Sequence, residues 1–131
     1  SLMSAADVVF DGTDNMATRY LINDTSLKLK KPWIFAAVDG FDLQVALFTG
    51  DRSHPCYRCL FPDLEGQNIP NCNAGGILGP VPGLAAMLQC NEALKLLTAT
   101  GSLLCQQMLS FDVLNHQYKV LKYPSGQTCK H

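Results

Sequence analysis

The chain has 131 residues, of which 47% are hydrophobic and 16% charged, and its formal net charge is −1. That is one domain's length with enough apolar residues for a core; it lacks the basic excess of a nucleic-acid-binding surface, and no apolar run approaches the length that spans a bilayer. Six cysteines, with an α/β pattern that starts almost at once at Val8-Val9-Phe10, point to a reducing, cytoplasmic setting in which thiols serve as metal ligands, nucleophiles or core filler.

The apolar run Ala6 to Phe10, closed by Asp11-Gly12-Thr13-Asp14-Asn15, reads as a buried parallel strand and a tight turn. A helix follows, with Ala17, Leu21, Thr25 and Leu29 at i+4 steps expected on its buried face beside Ile22. Lys28, Lys30 and Lys31 complement its dipole, and Pro32 stops it. Trp33 to Val38 is a second continuous apolar run, so strand, helix and strand make a parallel βαβ unit. After the turn Asp39-Gly40-Phe41-Asp42, the alternation from Leu43 to Phe48 predicts an antiparallel strand with one wetter face. Gly50 to Pro82 reads as mostly irregular, a length that is usually functional or tied down. Leu84, Met87, Leu88, Asn91, Leu94 and Leu97 then mark a well-buried helix ending near Gly101. Met108 to Phe111 and Gln117 to Tyr123 form a terminal hairpin. No G-x-G-x-x-G and no P-loop occurs, so the chain reads as the second half of a doubly wound nucleotide-binding domain.

Three groups of residues could carry chemistry. Asp11 and Asp14 follow a parallel strand, where open α/β sheets bind ligands and a carboxylate can hold Mg²⁺ against phosphates. Alternatively, Asp14 or Asn15 simply caps the next helix. Arg19 could reach an anion or stand as a solvated surface charge. Cys56 and Cys59 are spaced to place two thiolates on one Zn²⁺, or to act as a redox pair. A zinc site needs further ligands; Cys129, His131 (poorly spaced) and His54 are the options. Cys72, in the small, polar context IPNCNAGG, suits a reactive thiol or an inert loop cysteine. Cys90 and Cys105, among apolar neighbours, read as core filler.

Asp11-Gly12-Thr13-Asp14-Asn15 with Arg19, then Cys56-Tyr57-Arg58-Cys59, then Asn71-Cys72-Asn73-Ala74-Gly75-Gly76-Ile77-Leu78-Gly79-Pro80, closely resemble the ThiF/MoeB/HesA family, relatives of the ubiquitin-activating enzymes. The likeness continues through Glu92-Ala93-Leu94-Lys95-Leu96-Leu97 to Cys129 and covers the whole chain. It implies the C-terminal half of a Rossmann-like adenylating domain over residues 1–131, a single partial domain. It also implies an ATP- and Mg²⁺-dependent adenylyltransferase acting on the C-terminal glycine of a small ubiquitin-like or sulfur-carrier protein, as in thiamine or molybdopterin biosynthesis. By the same resemblance Asp14 is the Mg·ATP-site aspartate, with Asp11, Asn15 and Arg19 beside it. Cys56, Cys59 and Cys129 are three of four zinc ligands, the fourth falling just past His131. Cys72 matches a crossover-loop cysteine that in some members carries thioester or persulfide chemistry. Members pair as homodimers. With the Gly-rich loop missing, the isolated chain is expected not to adenylate anything. The rival expectations are a dithiol oxidoreductase using Cys56 and Cys59, and a non-catalytic module that binds a carrier or dimerises.

Overall fold

The structure, a computed structural model, describes residues 1–62, 76–124 and 126–131. After a 3-10 turn at Leu2–Ala5, strand β1 (Val9–Phe10) leads into helix α1 (Met16–Leu29), and β2 (Trp33–Asp39) and β3 (Asp42–Phe48) follow. A one-turn helix α2 (Tyr57–Leu60), the long helix α3 (Pro80–Thr98), and strands β4 (Gln107–Asp112) and β5 (Gln117–Lys122) complete the chain. The five strands form one sheet in the order β1-β2-β3-β4-β5. β1 and β2 are parallel, with Val9 opposite Trp33, as the βαβ reading requires. Every later pair is antiparallel. Between β2 and β3 only Gly40 and Phe41 lie outside the Asp39–Asp42 pairing. Gly40 takes the positive φ of 59° that so tight a hairpin demands.

The period of two along β2 sends its side chains into two separate cores. Ile34 and Ala36, with Leu43, Val45 and Leu47 of β3, pack under Val81, Ala85 and Ala93 of α3. Trp33 and Phe35, with Ala46 and Phe48, pack under Tyr20 of α1 and Tyr57 of α2. The second core is an aromatic cluster: Trp33 stacks on Phe48 at 5.0 Å, and Tyr57 lies within 6.0 Å of Trp33, Phe35 and Phe48. Of the side of β3 expected to be wetter, Ala46 and Phe48 are buried and only Gln44 is partly open. A helix layer on each face leaves the middle of this sheet no solvent side.

Both helices turn a different face inward from the one their leucines suggest. α1 buries Tyr20, Asn23, Ser26 and Leu27, while Ala17 and Leu21 are exposed. The expected Ala17–Leu21–Thr25–Leu29 face is therefore not the buried one. The polar Asn23 and Ser26 are inside because each has a backbone partner there: Tyr57 N–H for the first, Lys31 carbonyl for the second. α3 is half buried rather than well buried, with Met87, Leu94 and Leu97 about 60% exposed. Cys90 is on that outer face and is not core filler, whereas Cys105 does pack against the α3-side core. α3 ends at Thr98 with Ala99 left-handed, two residues before Gly101.

One glycine is fixed by close approach. Gly50 leaves β3 at φ 76°, and an added Cβ would sit 2.7 Å from the carbonyl oxygen and 2.8 Å from the nitrogen of Lys31. Backbone cannot yield as a flexible side chain can. Gly50→Ala is expected to destabilise the fold by about 2–4 kcal/mol. Thermal unfolding should show a midpoint lower by roughly 10 °C; a loss under 2 °C contradicts the packing described.

Candidate functional site: a cavity at the end of the parallel strands and a cysteine cluster

β1 stops at Phe10, and Asp11 continues the ladder by donating its N–H to the Ile34 carbonyl at 2.9 Å. The Asp11 side chain is buried, and both its oxygens are engaged. Oδ1 accepts from Thr13 N–H at 2.9 Å and Thr13 Oγ1 at 2.6 Å; Oδ2 accepts from Arg19 Nε at 2.9 Å. Arg19 also donates through Nη2 to the carbonyls of Thr13 and Ala36 at 2.7 and 3.1 Å. Its guanidinium lies 5.1 Å from the Phe35 ring centre. Arg19 is thus a nearly buried clamp that fixes the turn after β1, not a solvated surface charge. From α3, Gln89 Nε2 donates to the carbonyls of Asp11 and Ile34 at 2.8 and 2.9 Å, fastening both parallel strands to the helix beneath them.

This clamp leaves Asp14 different from Asp11. Asn15 is the helix cap, its Oδ1 accepting from Thr18 N–H at 2.7 Å. Asp14 is exposed and makes no hydrogen bond or ion pair among the described residues. It stands at a cavity of about 730 Å³ beyond the carboxyl ends of β1 and β2, walled by Ala36, Leu43 and Ala85 and also lined by Asp39 and Asp42. A cavity of this size suits a cofactor-sized ligand, and its place is where open α/β sheets bind ligands. Nothing in the spacing of LAAMLQC marks Gln89, beyond its being an amide in a largely apolar stretch of helix. Gln89→Leu should leave the buried Asp11 carbonyl without its donor, while the Ile34 carbonyl keeps the Asp11 N–H; the expected cost is about 1–3 kcal/mol, read as a lower denaturant midpoint with unchanged m-value.

The second group lies at the opposite end of α1. Sγ atoms of Cys56 and Cys59 are 3.6 Å apart, and His131 Nδ1 is 3.9 and 3.7 Å from them. With Cys129, the ligand atoms of all four residues lie within 4.8 Å of one another. Tetrahedral zinc with Zn–S bonds near 2.3 Å separates its sulfurs by about 3.8 Å, so the spacing fits a metal of that kind. His54 is elsewhere, its Nδ1 near Ser53 Oγ at 3.2 Å. The tail reaches the cluster because Cys129 N–H donates to the Arg52 carbonyl at 3.0 Å. Arg52 Nε in turn donates to the His131 carbonyl at 2.9 Å, and its Nη1 to the Leu27 carbonyl at 3.3 Å. Burial pushes the Cys56 thiol up to about 11. Burial acts the same way on Cys59, but hydrogen bonds from the Lys130 and Cys56 amides and from His131 outweigh it and bring that thiol down to about 7.

Sequence reasoning missed how the Cys56–Cys59 turn is held. Asn23, 1% exposed, accepts the Tyr57 N–H at 2.9 Å. Asp24 takes Arg58 in a two-point ion pair, Nε to Oδ1 at 2.7 Å and Nη2 to Oδ2 at 2.8 Å, while the Arg58 guanidinium lies 4.4 Å from the Tyr20 ring centre. Tyr20 Oη donates to the Phe61 carbonyl. A polar pair in the middle of a helix, with no partner visible nearby, was the available signal. Cys72 lies outside the described residues.

The chain matches the ThiF family over residues 1–131. It is 39% identical to the adenylyltransferase and sulfurtransferase MOCS3 of Oryza sativa subsp. japonica, covering 96% of this chain and 28% of that protein. It is 38% identical to a sulfur carrier protein adenylyltransferase of Thermus thermophilus, covering 94% and 47%. The chain thus spans less than half the length of these curated relatives. Its fold matches E. coli MccB with a TM-score of 0.72 at 17% identity, over 96% of this chain and 40% of that one. MccB solved with ATP gives a TM-score of 0.68 at 16% identity, over 95% of this chain and 39% of that one. The chain, with its cavity beyond a parallel strand pair and its cysteine cluster, belongs to the ThiF family.

Proposed function

We propose that this chain is the C-terminal part of an ATP-dependent activating enzyme that adenylates the C-terminal glycine of a small ubiquitin-like or sulfur-carrier protein. The observation that carries this reading is the unengaged carboxylate of Asp14 at a nucleotide-sized cavity that the locked Asp11–Arg19 pair also lines. Asp14 would hold Mg²⁺. The ion, when bound, neutralises the phosphate charge that opposes attack by a carboxylate on the α-phosphorus. Asp11 and Arg19 line the cofactor cavity and keep the Asp14 turn in place, so that its carboxylate need not reorganise as charge develops. Asn15 fixes the start of α1 beside them. Ala36 and Ala85 leave room for an adenosine and keep water from that wall.

Cys56, Cys59 and Cys129 would hold Zn²⁺ as thiolates, with His131 in reach as a fourth ligand, and so tie the tail to the loop after β3. Cys72 is proposed as a thiol for later sulfur or acyl transfer. The names of the relatives, an adenylyltransferase and sulfurtransferase and a sulfur carrier protein adenylyltransferase, support a sulfur-carrier protein as the substrate. We further propose a homodimer working in the cytoplasm; no described helix is long and apolar enough to cross a membrane. Sedimentation of the purified protein tests the dimer, and a single monomeric species rejects it.

The deciding experiment is carrier-dependent ATP–pyrophosphate exchange. A protein that carries this sequence together with a Gly-rich phosphate loop should exchange; the 131 residues alone should not. Exchange by the isolated chain would refute its dependence on that loop, and its absence from the longer protein would refute the activity. A dithiol oxidoreductase is a weaker reading, because two further ligand side chains crowd Cys56 and Cys59.

A further inference from the structure

The two spacer residues of Cys56-Tyr57-Arg58-Cys59 are each held by one of two consecutive residues on α1. We infer that Asn23 and Asp24 are positioning residues of the metal centre, presetting the Cys56–Cys59 turn so that both sulfurs face one point before any ion arrives. The inference rests on the zinc reading given above.

A four-residue turn between two ligands is short and, by itself, adopts many conformations. Here its first amide after Cys56 is fixed by a buried acceptor, since Asn23 Oδ1 takes the Tyr57 N–H at 2.9 Å. Its second spacer is fixed from outside by the two-point Asp24–Arg58 pair. The Tyr57 ring is anchored in the aromatic core at 2% exposure. Together these set the Cys56–Tyr57 peptide and the direction of the following turn. The Cys59 N–H donates to the Cys56 carbonyl at 3.0 Å, closing that turn with its sulfurs 3.6 Å apart. Groups that orient ligands from outside the coordination sphere typically change metal affinity by about 10–100-fold. Plain stability makes a different prediction: a residue that only supports the fold affects the metal no more than any equal loss of core.

The test is zinc release to a chromogenic chelator from purified protein, with cobalt replacing zinc as a spectral probe. Asn23→Leu removes the acceptor at similar volume, Asp24→Asn weakens the Arg58 pair, and Val45→Ala weakens the core on the opposite sheet face. The expected result is release faster by about tenfold or more in Asn23→Leu and by a few-fold in Asp24→Asn, with altered cobalt bands in both. Val45→Ala should lower the melting temperature but release zinc at the wild-type rate with an unchanged cobalt spectrum. Should Asn23→Leu yield no folded protein, Asp24→Asn, on a half-exposed side chain, decides alone. Wild-type release in both α1 variants, or equal acceleration in Val45→Ala, overturns the inference and leaves the metal reading intact. Failure of the wild-type protein to bind zinc or cobalt overturns both.

Discussion

Replacing Asp14 with asparagine is expected to lower carrier-dependent ATP–pyrophosphate exchange by about 10²–10³-fold, the scale on which removing one electrostatic stabiliser of a developing charge acts. The effect should fall on turnover and Mg²⁺ dependence, not on folding. Asp14 is exposed and has no partner among the described residues, so its melting temperature should change by less than about 2 °C. Asp11→Asn should behave in the opposite way. It uncouples a carboxylate from Arg19, and losing one member of a buried ion pair costs about 3–5 kcal/mol. Activity then falls because the turn that aims Asp14 loosens. The pair of variants therefore separates a group that meets the nucleotide from one that supports it. If Asp14→Asn exchanges pyrophosphate at the wild-type rate, the proposed role of Asp14 is wrong.

Cys129→Ser is expected to reduce bound zinc from near one per chain to a small fraction, although it lies seventy residues beyond Cys59. Free energies of zinc binding are large, about 10–16 kcal/mol in small zinc-dependent peptides. A loss of even 3 kcal/mol would lower the midpoint of a domain this size by roughly 10 °C. The damage should be local. Tyr57 stays in the aromatic core with Trp33 and Phe35, so the sheet and both long helices should keep their protected amides. The tail at 126–131 should exchange fast, because among the described residues its tethers are the ligands and the two bonds to Arg52. Hydrogen exchange with and without zinc measures this. Equal tail protection in the two states would show that metal does not hold it.

α1 connects these two sites. Its first turn carries Arg19, bonded to Asp11 at the cavity, and its next carries Asn23 and Asp24, bonded to the cysteine turn. One rigid helix of fourteen residues thus fixes the distance between the nucleotide cavity and the metal centre. That explains why its buried face is half polar: Asn23 and Ser26 sit where loops must be fastened, and the fastening uses backbone amides and carbonyls that apolar side chains could not satisfy.

The sequence by itself determined the order of the strands and of the two long helices, the parallel start and antiparallel finish of the sheet, and the candidate ligand pair Cys56 and Cys59. Those follow from short-range physics: apolar runs of strand length, Gly and Pro at turns, and a two-residue spacer between thiols. Tertiary structure decided which face of each long helix is inside, because that depends on partners far along the chain. Leu21 and Leu94 are outside while Asn23 and Gln89 are buried, since hydrogen-bond partners from Tyr57 and from Asp11 and Ile34 exist only once the chain has folded. It also decided that Arg19 locks Asp11 and so leaves Asp14 unengaged, and that His131 joins the cysteines when Arg52 draws in the tail. Period and propensity report what a residue can do locally; a buried polar contact is chosen by whatever donor or acceptor the rest of the fold brings within 3 Å.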